Sequence, residues 1–269
     1  MRPRSVVLLF FLFVSSTPFL RAQTLTTSQT TTASSNQALA SLQNAISALA
    51  GRATVNDVTL SGTAERIAGS DDETGTATYK ALLGASRLDM ILVTGTRSET
   101  RNATGPTPAG CWIGTDMVSH SMAYHNLLLD PGWFPLFTLA NINSSNSSVL
   151  TYLGPEIRNG VSVIHFVAFQ QSPLSSAVDT ALFQHLTQVD VYLASTTQLP
   201  YSLVFNNHPD NNMLLDISTE IRYSNYQTIG GAQIPMHVQK FINNSLALDL
   251  QFQSAVLNSG LSTNLFTVQ

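Results

Sequence analysis

"YQTIGGAQIPMHVQKFIN", Tyr226 to Asn243, decides the fold. It reads as a strand end, a Gly230-Gly231 turn, a second strand that admits one proline, and a further turn. Pro235 near a strand start suits an edge or bulge position. The stretch holds no nucleophile with a base beside it and no ligand set, so what it carries is architecture, a β-hairpin.

The pattern continues on both sides. In "MLLDISTEIRYSNY" (213–226), Leu215, Ile217, Thr219, Ile221 and Tyr223 share one face, and Leu214, Asp216, Ser218, Glu220 and Arg222 share the other. In "LALDLQFQSAVL" (246–257), Leu246, Leu248, Leu250, Phe252 and Val256 oppose Ala247, Asp249, Gln251 and Gln253. Period-two alternation means a sheet wet on one side and apolar on the other. "VSVIHFVAF" (161–169), "VDVYLAS" (189–195) and "YSLVFNN" (201–207) are further strands, with "SSAVDTALFQHL" (175–186) as a short helical crossover. Three more strands lie upstream, "VTLSGTAERI" (58–67), "TGTATYKALLG" (74–84) and "SRLDMILVTGTRSE" (86–99). The carboxylate run Asp71-Asp72-Glu73 falls in a turn and reads as a solvated hairpin end, because a calcium loop needs ligands at set offsets. Short turns between successive strands favour an antiparallel meander, whose dry face the few helices should cover.

One such helix is "NQALASLQNAISALAG" (36–51). Leu39, Leu42, Ile46 and Leu49 fall on one face, Ser35 or Asn36 can cap it, and Gly51 ends it. Residues 100–155 break the β rhythm. "ETRNATGPTPAGCWIG" reads as a loop and "DMVSHSMAYHNLLL" (116–129) as a helix. Asp130-Pro131 stops that helix and can cap the next, a short apolar helix in "PGWFPLFTLANI". Trp133, Phe134, Leu136, Phe137 and Leu139 crowd this Pro-bounded segment. Plain core is one reading; a movable lid over an apolar sheet is the other.

At the N-terminus, "MRPR" precedes the apolar run "SVVLLFFLFV", and Leu20 and Ala22 stand at −3 and −1 of a cleavage site. This predicts a signal peptide over 1–22, a mature start at Gln23 and export; an uncleaved anchor is the alternative. A Ser/Thr-rich segment, 23–35, is expected to be disordered, followed by a single domain over 36–269. Removal of 1–22 takes away Arg2, Arg4 and Arg21 and leaves 9 basic against 16 acidic residues, a net charge of −7. With lysine only at 80 and 240, no basic stripe exists and nucleic acid is excluded as a partner. Charged residues make up only 10% of the chain, so Ser, Thr, Asn and Gln carry the polar surface. The single cysteine, Cys111, rules out a disulfide framework and reads as a small buried residue. N-x-S/T sequons begin at Asn102, Asn143, Asn146 and Asn243, as expected by chance in so Asn/Ser/Thr-rich a chain.

Chemistry is hard to place. His120 and His125, five apart on the expected helix, point about 140° apart and cannot grip one ion. Asp116 and His120 can share a face, but two ligands do not make a site. His165, His185, His208 and His237 read as ordinary hydrogen-bonded histidines. G-x-S-x-G, H-E-x-x-H, P-loop and G-x-G-x-x-G motifs are absent. The expectation is therefore no metal, no cofactor and no catalysis.

The order of motifs over 190–268 is similar to the C-terminal meander of the Lol-type superfamily of outer-membrane lipoprotein-sorting and lipoprotein-carrier proteins. These motifs are a tyrosine-bearing strand with the Thr197–Pro200 turn, a Tyr-x-x-Tyr strand end, Gly-Gly-x-x-Ile-Pro, then Asn258, Leu261 and Phe266. The N-terminal half carries no alignable motif, and 100–155 looks like an insertion. The resemblance implies an α+β, mainly antiparallel fold, a curved open half-barrel with helices covering its concave face and lipid chains bound between. It also implies a strand arginine that latches the lid; no residue here matches its position, and Arg66 is one option. On that basis Leu203, Phe205, Leu248, Leu250 and Phe252 are candidate lipid-binding residues, and Trp133, Phe134, Leu136 and Phe137 the candidate lid. The function expected is a monomeric periplasmic or secreted carrier for a lipid or lipoprotein acyl chain, with other envelope proteins as further partners. A non-catalytic interaction module with a self-filled concavity is the alternative, and a secreted hydrolase a third.

Overall fold

The computed structural model describes residues 26–105 and 107–268, so the expected signal peptide and mature start lie outside the described residues. Helix α1 (Thr26–Ala50) precedes β1 (Asp57–Ala68), β2 (Asp71–Leu82), β3 (Ala85–Leu92), β4 (Gly95–Asn102), β5 (Ala109–Ile113) and β6 (Ser119–Ser121). A segment with a 3-10 turn (Tyr124–Leu127) and helix α2 (Pro135–Ser144) leads to β7 (Ser148–Arg158) and β8 (Val161–Gln170). Helix α3 (Ala177–Leu186) joins β8 to β9 (Val189–Ala194). β10 (Pro200–Asn207), β11 (Ile217–Ile229), β12 (Ala232–Ile242) and β13 (Ser245–Leu257) follow, and a 3-10 turn (Thr263–Phe266) comes last.

The strands form a single antiparallel sheet of order β6-β5-β4-β3-β2-β1-β13-β12-β11-β10-β9-β8-β7. β1 stands at its middle. Six strands meander from β1 to one edge; the other seven begin at the far edge and return to pair β13 with β1. The sheet does not close, and the connection from Met122 to Ser147 carries the chain from one edge to the other. Leu60, Tyr79 and Leu88 from one half share one core with Phe166, Leu203, Ile221, Val238 and Leu250 from the other, and with α1 and α2. The sheet therefore curls around two helices, as the half-barrel expectation requires.

The hairpin at Gly230-Gly231 forms as read, and it meets the end of α1. Gly51 sits at φ +57°, and a Cβ there would lie 2.2 Å from the Gly231 carbonyl oxygen. Only glycine both ends this helix and lets it abut that turn.

Several expectations are corrected. Residues 26–35 are helical, not disordered. The reason is docking: the Ser34 hydroxyl donates to Tyr152 O (3.1 Å) and accepts from Tyr152 N (3.0 Å), and Ser35 donates to Leu150 O (3.0 Å). The Ser/Thr-rich turn thus satisfies polar groups of the edge strand β7. The buried face of α1 is Ala38, Leu42, Ala45 and Leu49; Leu39 points outward, because small side chains allow the close approach. Residues 86–99 form two strands, turning before Gly95 at φ +137°. Residues 116–129 are not a helix: His120 pairs with Trp112 across β5 and β6, and Met117 takes a positive φ of 59°. Much of the expected insertion is regular sheet, and the rest is the edge-to-edge connection. Helix α3 links neighbouring antiparallel strands and makes no crossover. In β13 the register with β1 skips Gln253, so Val256 turns to solvent while Ala255 and Leu257 face the core. Leu215 is likewise exposed, preceding the paired part of β11. Glu73 is buried, unlike the exposed Asp71 and Asp72.

Candidate functional site

The concave face of the sheet is roofed by residues 122–147. Asp130 was expected to cap α2, but Phe134 takes the N-cap position with no side-chain hydrogen bond. Asp130 instead shapes the approach: its carboxylate accepts from Gly132 N (2.8 Å) and Thr138 Oγ1 (2.6 Å). Burial raises the Asp130 pKa, and those two bonds with nearby Arg101 only partly offset it. Gly132, at φ +76°, lies against the sheet where a Cβ would come within 3.4 Å of Ile221 and Leu203. The Tyr223 hydroxyl donates to its carbonyl. The roof is therefore pinned to β11 at its centre.

Trp133, Phe134, Leu136, Phe137 and Leu139 all lie in the shared core, Phe134 packing edge-on to Phe137 at 4.9 Å. Their burial is that of plain core.

Two cavities remain beneath and beside the roof. The first, about 310 Å³, is lined by Leu127, Leu129, Thr138, Ile142, Leu203 and Phe205. The second, about 320 Å³, is lined by Leu88, Met90, Trp112, Trp133, Lys240 and Leu248. Both fall at the low end of the roughly 300–1,000 Å³ usual for ligand pockets. The five candidate lining residues are thereby sorted. Leu203 and Phe205 line the first cavity and Leu248 the second; Leu250, fully buried, lines neither; Phe252 borders a separate, mainly polar recess of about 380 Å³ beside His237 and Gln251.

An ion pair links the two cavities. Arg101 lines the first and Glu99 the second, and Arg101 Nε donates to Glu99 Oε1 at 2.7 Å. Burial pushes the Glu99 pKa up, but the charges of Arg101 and Lys240 outweigh it and hold the carboxyl below its usual range. Burial lowers the Lys240 pKa, Glu99 opposing; its Nζ stands 5.7 Å from the Trp133 ring centre. Two buried nitrogens of residues lining this cavity, Trp133 Nε1 and Arg97 Nε, have no partner among the described residues.

The roof is tethered from both sides. Arg101 donates from its guanidinium to Asn126 O (2.7 Å) and Leu129 O (3.5 Å). Asn126 Nδ2 donates to His208 O (2.7 Å), and Asn126 Oδ1 accepts from His208 N (3.0 Å). Ala123 N donates to Asp210 Oδ1 (3.2 Å). Arg66, the candidate latch, does something else: it pairs at 3.1 Å with Glu73, which also pairs with Arg97 at 3.2 Å and accepts from Thr94 Oγ1. The arginine that holds the roof is Arg101, which lies inside the stretch read as an insertion. The only sequence hint was alternation, since Arg97, Glu99 and Arg101 share one face of β4.

The histidines are mostly partnered. His120 bonds Asp116 at 2.9 Å and stacks on Trp112, His165 bonds Asp190 and stacks on Tyr192, and His237 bonds Asp249. His125 meets Pro209 O, while His185, His208 and Asp216 come together beside the roof. Cys111 is buried. No helix among the described residues is long and apolar enough to cross a membrane.

No protein-family profile and no curated protein sequence matches the chain. Solved structures do. An outer membrane lipoprotein-sorting protein domain from Vibrio parahaemolyticus aligns over 87% of this chain and 97% of its own, with a TM-score of 0.57 at 13% identity. A DUF1329 family protein from Desulfovibrio piger aligns over 89% and 99%, with a TM-score of 0.55 at 9% identity. A LolA superfamily protein from Nitrosomonas europaea aligns over 86% and 97%, with a TM-score of 0.52 at 13% identity. The chain thus has the open-sheet α+β fold of these proteins. The likeness spans nearly the whole chain, so the fold is not confined to the C-terminal third in which the motifs were legible.

Proposed function

We propose that this protein is a non-catalytic carrier that holds a lipid or lipoprotein acyl chain between its curled sheet and the 122–147 roof, in the periplasm after export. The observation that supports this most is the pair of cavities in an unclosed sheet, each with more apolar than polar wall, joined through Glu99–Arg101 and bordered by one tethered segment. Fold likeness to a lipoprotein-sorting domain agrees with it. Displacing the roof would merge the cavities into one trough. The two unpartnered nitrogens and Lys240 would then face the polar end of an acyl ligand, where an unmade hydrogen bond costs about 1–3 kcal/mol. A self-filled interaction module is the second reading, favoured by the near-complete burial of Leu203, Leu250 and Phe252.

Binding of a fluorescent fatty-acid probe, with mass spectrometry of organic extracts from gently purified protein, separates the two. Ile142→Trp fills the first cavity and Met90→Trp the second, each adding apolar bulk without charge. Both should stay folded by circular dichroism while one or both lose probe binding at least tenfold. Wild-type protein that binds no probe and yields no lipid would leave the interaction module as the better reading.

A further inference from the structure

Three side chains from α3 and the 208–216 loop meet beside the roof. His185 lies in the last turn of α3, His208 follows β10, and Asp216 precedes β11. A ligand atom from each lies within 4.8 Å of the others. His185 Nε2 is 2.8 Å, and His208 Nδ1 3.5 Å, from the same oxygen, Asp216 Oδ1. His125 adds a further imidazole, its ring centre 5.9 Å from that of His208.

A hydrogen-bonded His–Asp pair on a surface needs no ion, and the 2.8 Å contact alone is accounted for that way. His208 is different. Its side chain is 1% exposed, and its Nε2 has no partner among the described residues, while Nδ1 lies 3.2 Å from Leu215 O. Facing a carbonyl, Nδ1 must carry the ring proton and donate, so Nε2 is the nitrogen with a free lone pair and the one that would take an ion; left buried and unpartnered it is costly, and a bound cation or the water it holds relieves that cost. Two imidazoles with one carboxylate form a mixed nitrogen–oxygen set, which suits a borderline divalent ion; calcium and magnesium prefer all-oxygen shells. Asp216 and His185 are each nearly half exposed, so an ion has a route in and a free coordination position for water.

We propose that His185, His208 and Asp216 form a binding site for a zinc-type divalent cation where α3 and the 208–216 loop meet the roof. The site is independent of the acyl-chain reading. It has a structural consequence, because the backbone of His208 also holds Asn126 and Pro209 O meets His125. A bound ion staples α3 to the loop that grips the roof. Sequence inspection missed the site because His185 comes from α3 and His208 and Asp216 from the two ends of the 208–216 loop, with no local motif joining them.

The test is equilibrium dialysis of the full, chelator-treated chain against Zn²⁺, followed by elemental analysis. We expect one zinc per chain. His185→Ala and Asp216→Asn alter exposed side chains and should leave circular dichroism unchanged while weakening binding at least tenfold. His120→Ala, at the separate His120–Asp116 pair, should bind as wild type. Wild-type chain without zinc, binding unaffected by both site variants, or binding lost only in His120→Ala each overturns the proposal.

Discussion

Asp57 anchors the segment that follows β13. Its two carboxylate oxygens accept from Ser259 N (2.8 Å), Ser259 Oγ (2.9 Å), Gly260 N (2.9 Å) and Leu261 N (3.4 Å). Beside it, Asn258 accepts from Asn56 N and donates to Thr54 O, both at 2.7 Å, in a left-handed conformation (φ 56°) that asparagine tolerates. Burial raises the Asp57 pKa, but the bonds from Gly260, Ser259 and Leu261 outweigh it and hold the pKa below the ordinary 3.8. A carboxylate with a lowered folded pKa stabilises the fold above its unfolded pKa and loses that contribution as pH falls through the folded one. Asp57→Asn should therefore melt below wild type at pH 7, and the gap should narrow once pH drops under 3.8. Thermal melts across that range check it; a gap of constant size would show that geometry, not charge, carries the effect. Asn258 was legible as a motif residue, yet Asp57 was not, because its partners lie about 200 positions away.

Among the elements, those that follow a local rule were legible and those set by distant partners were not. β11, β12 and β13 alternate over most of their length, so their faces could be read directly, save where the skipped Gln253 reverses Val256 and the skipped Ala247 sets Leu246 opposite Phe241. α2 announced itself through Pro135 and its run of apolar residues. By contrast, the first turns of α1 depend on Ser34 meeting Tyr152, 118 residues on, and the path of 122–131 depends on Asn126 meeting His208, 82 residues on. No periodicity encodes such pairs. Alternation puts Leu203, Phe205 and Leu248 on the apolar face of their strands, and each lines a cavity; Asn126, which holds the roof with Arg101, carried no local signal. Ser34→Ala with Ser35→Ala tests the first pair. It leaves Tyr152 N without an acceptor, so a loss of about 1–3 kcal/mol is expected, read as a lower urea midpoint with α1 still helical. An unchanged midpoint would mean that water replaces both hydroxyls at no cost. Asn126→Ala tests the second: limited proteolysis within 114–131 should accelerate several-fold, because the segment then loses the three bonds by which Asn126 holds His208 and Asp210.

At the scale of the whole molecule, the sheet has a strong middle and two open ends. β1 joins the two meanders by pairing with both β2 and β13, over 12 and 9 matched positions. β6 has three residues and pairs only with β5, and β7 relies on α1 to cover part of its edge. The connection that spans these edges is held by a few hydrogen bonds and by the wedge of Trp133, Phe134 and Phe137 in the core. Local opening free energy follows such differences in burial and bonding. Native-state hydrogen exchange should therefore resolve two tiers. Amides of β1, β2, β12 and β13 should exchange only by global unfolding, with a full dependence on denaturant. Amides of 114–131 should exchange through a smaller opening with little such dependence, and Asn126→Ala should speed that tier alone. Were 114–131 to exchange with the same free energy and denaturant slope as β12, the roof would open only when the protein unfolds. An acyl chain would then reach only those parts of the two cavities that already open to solvent.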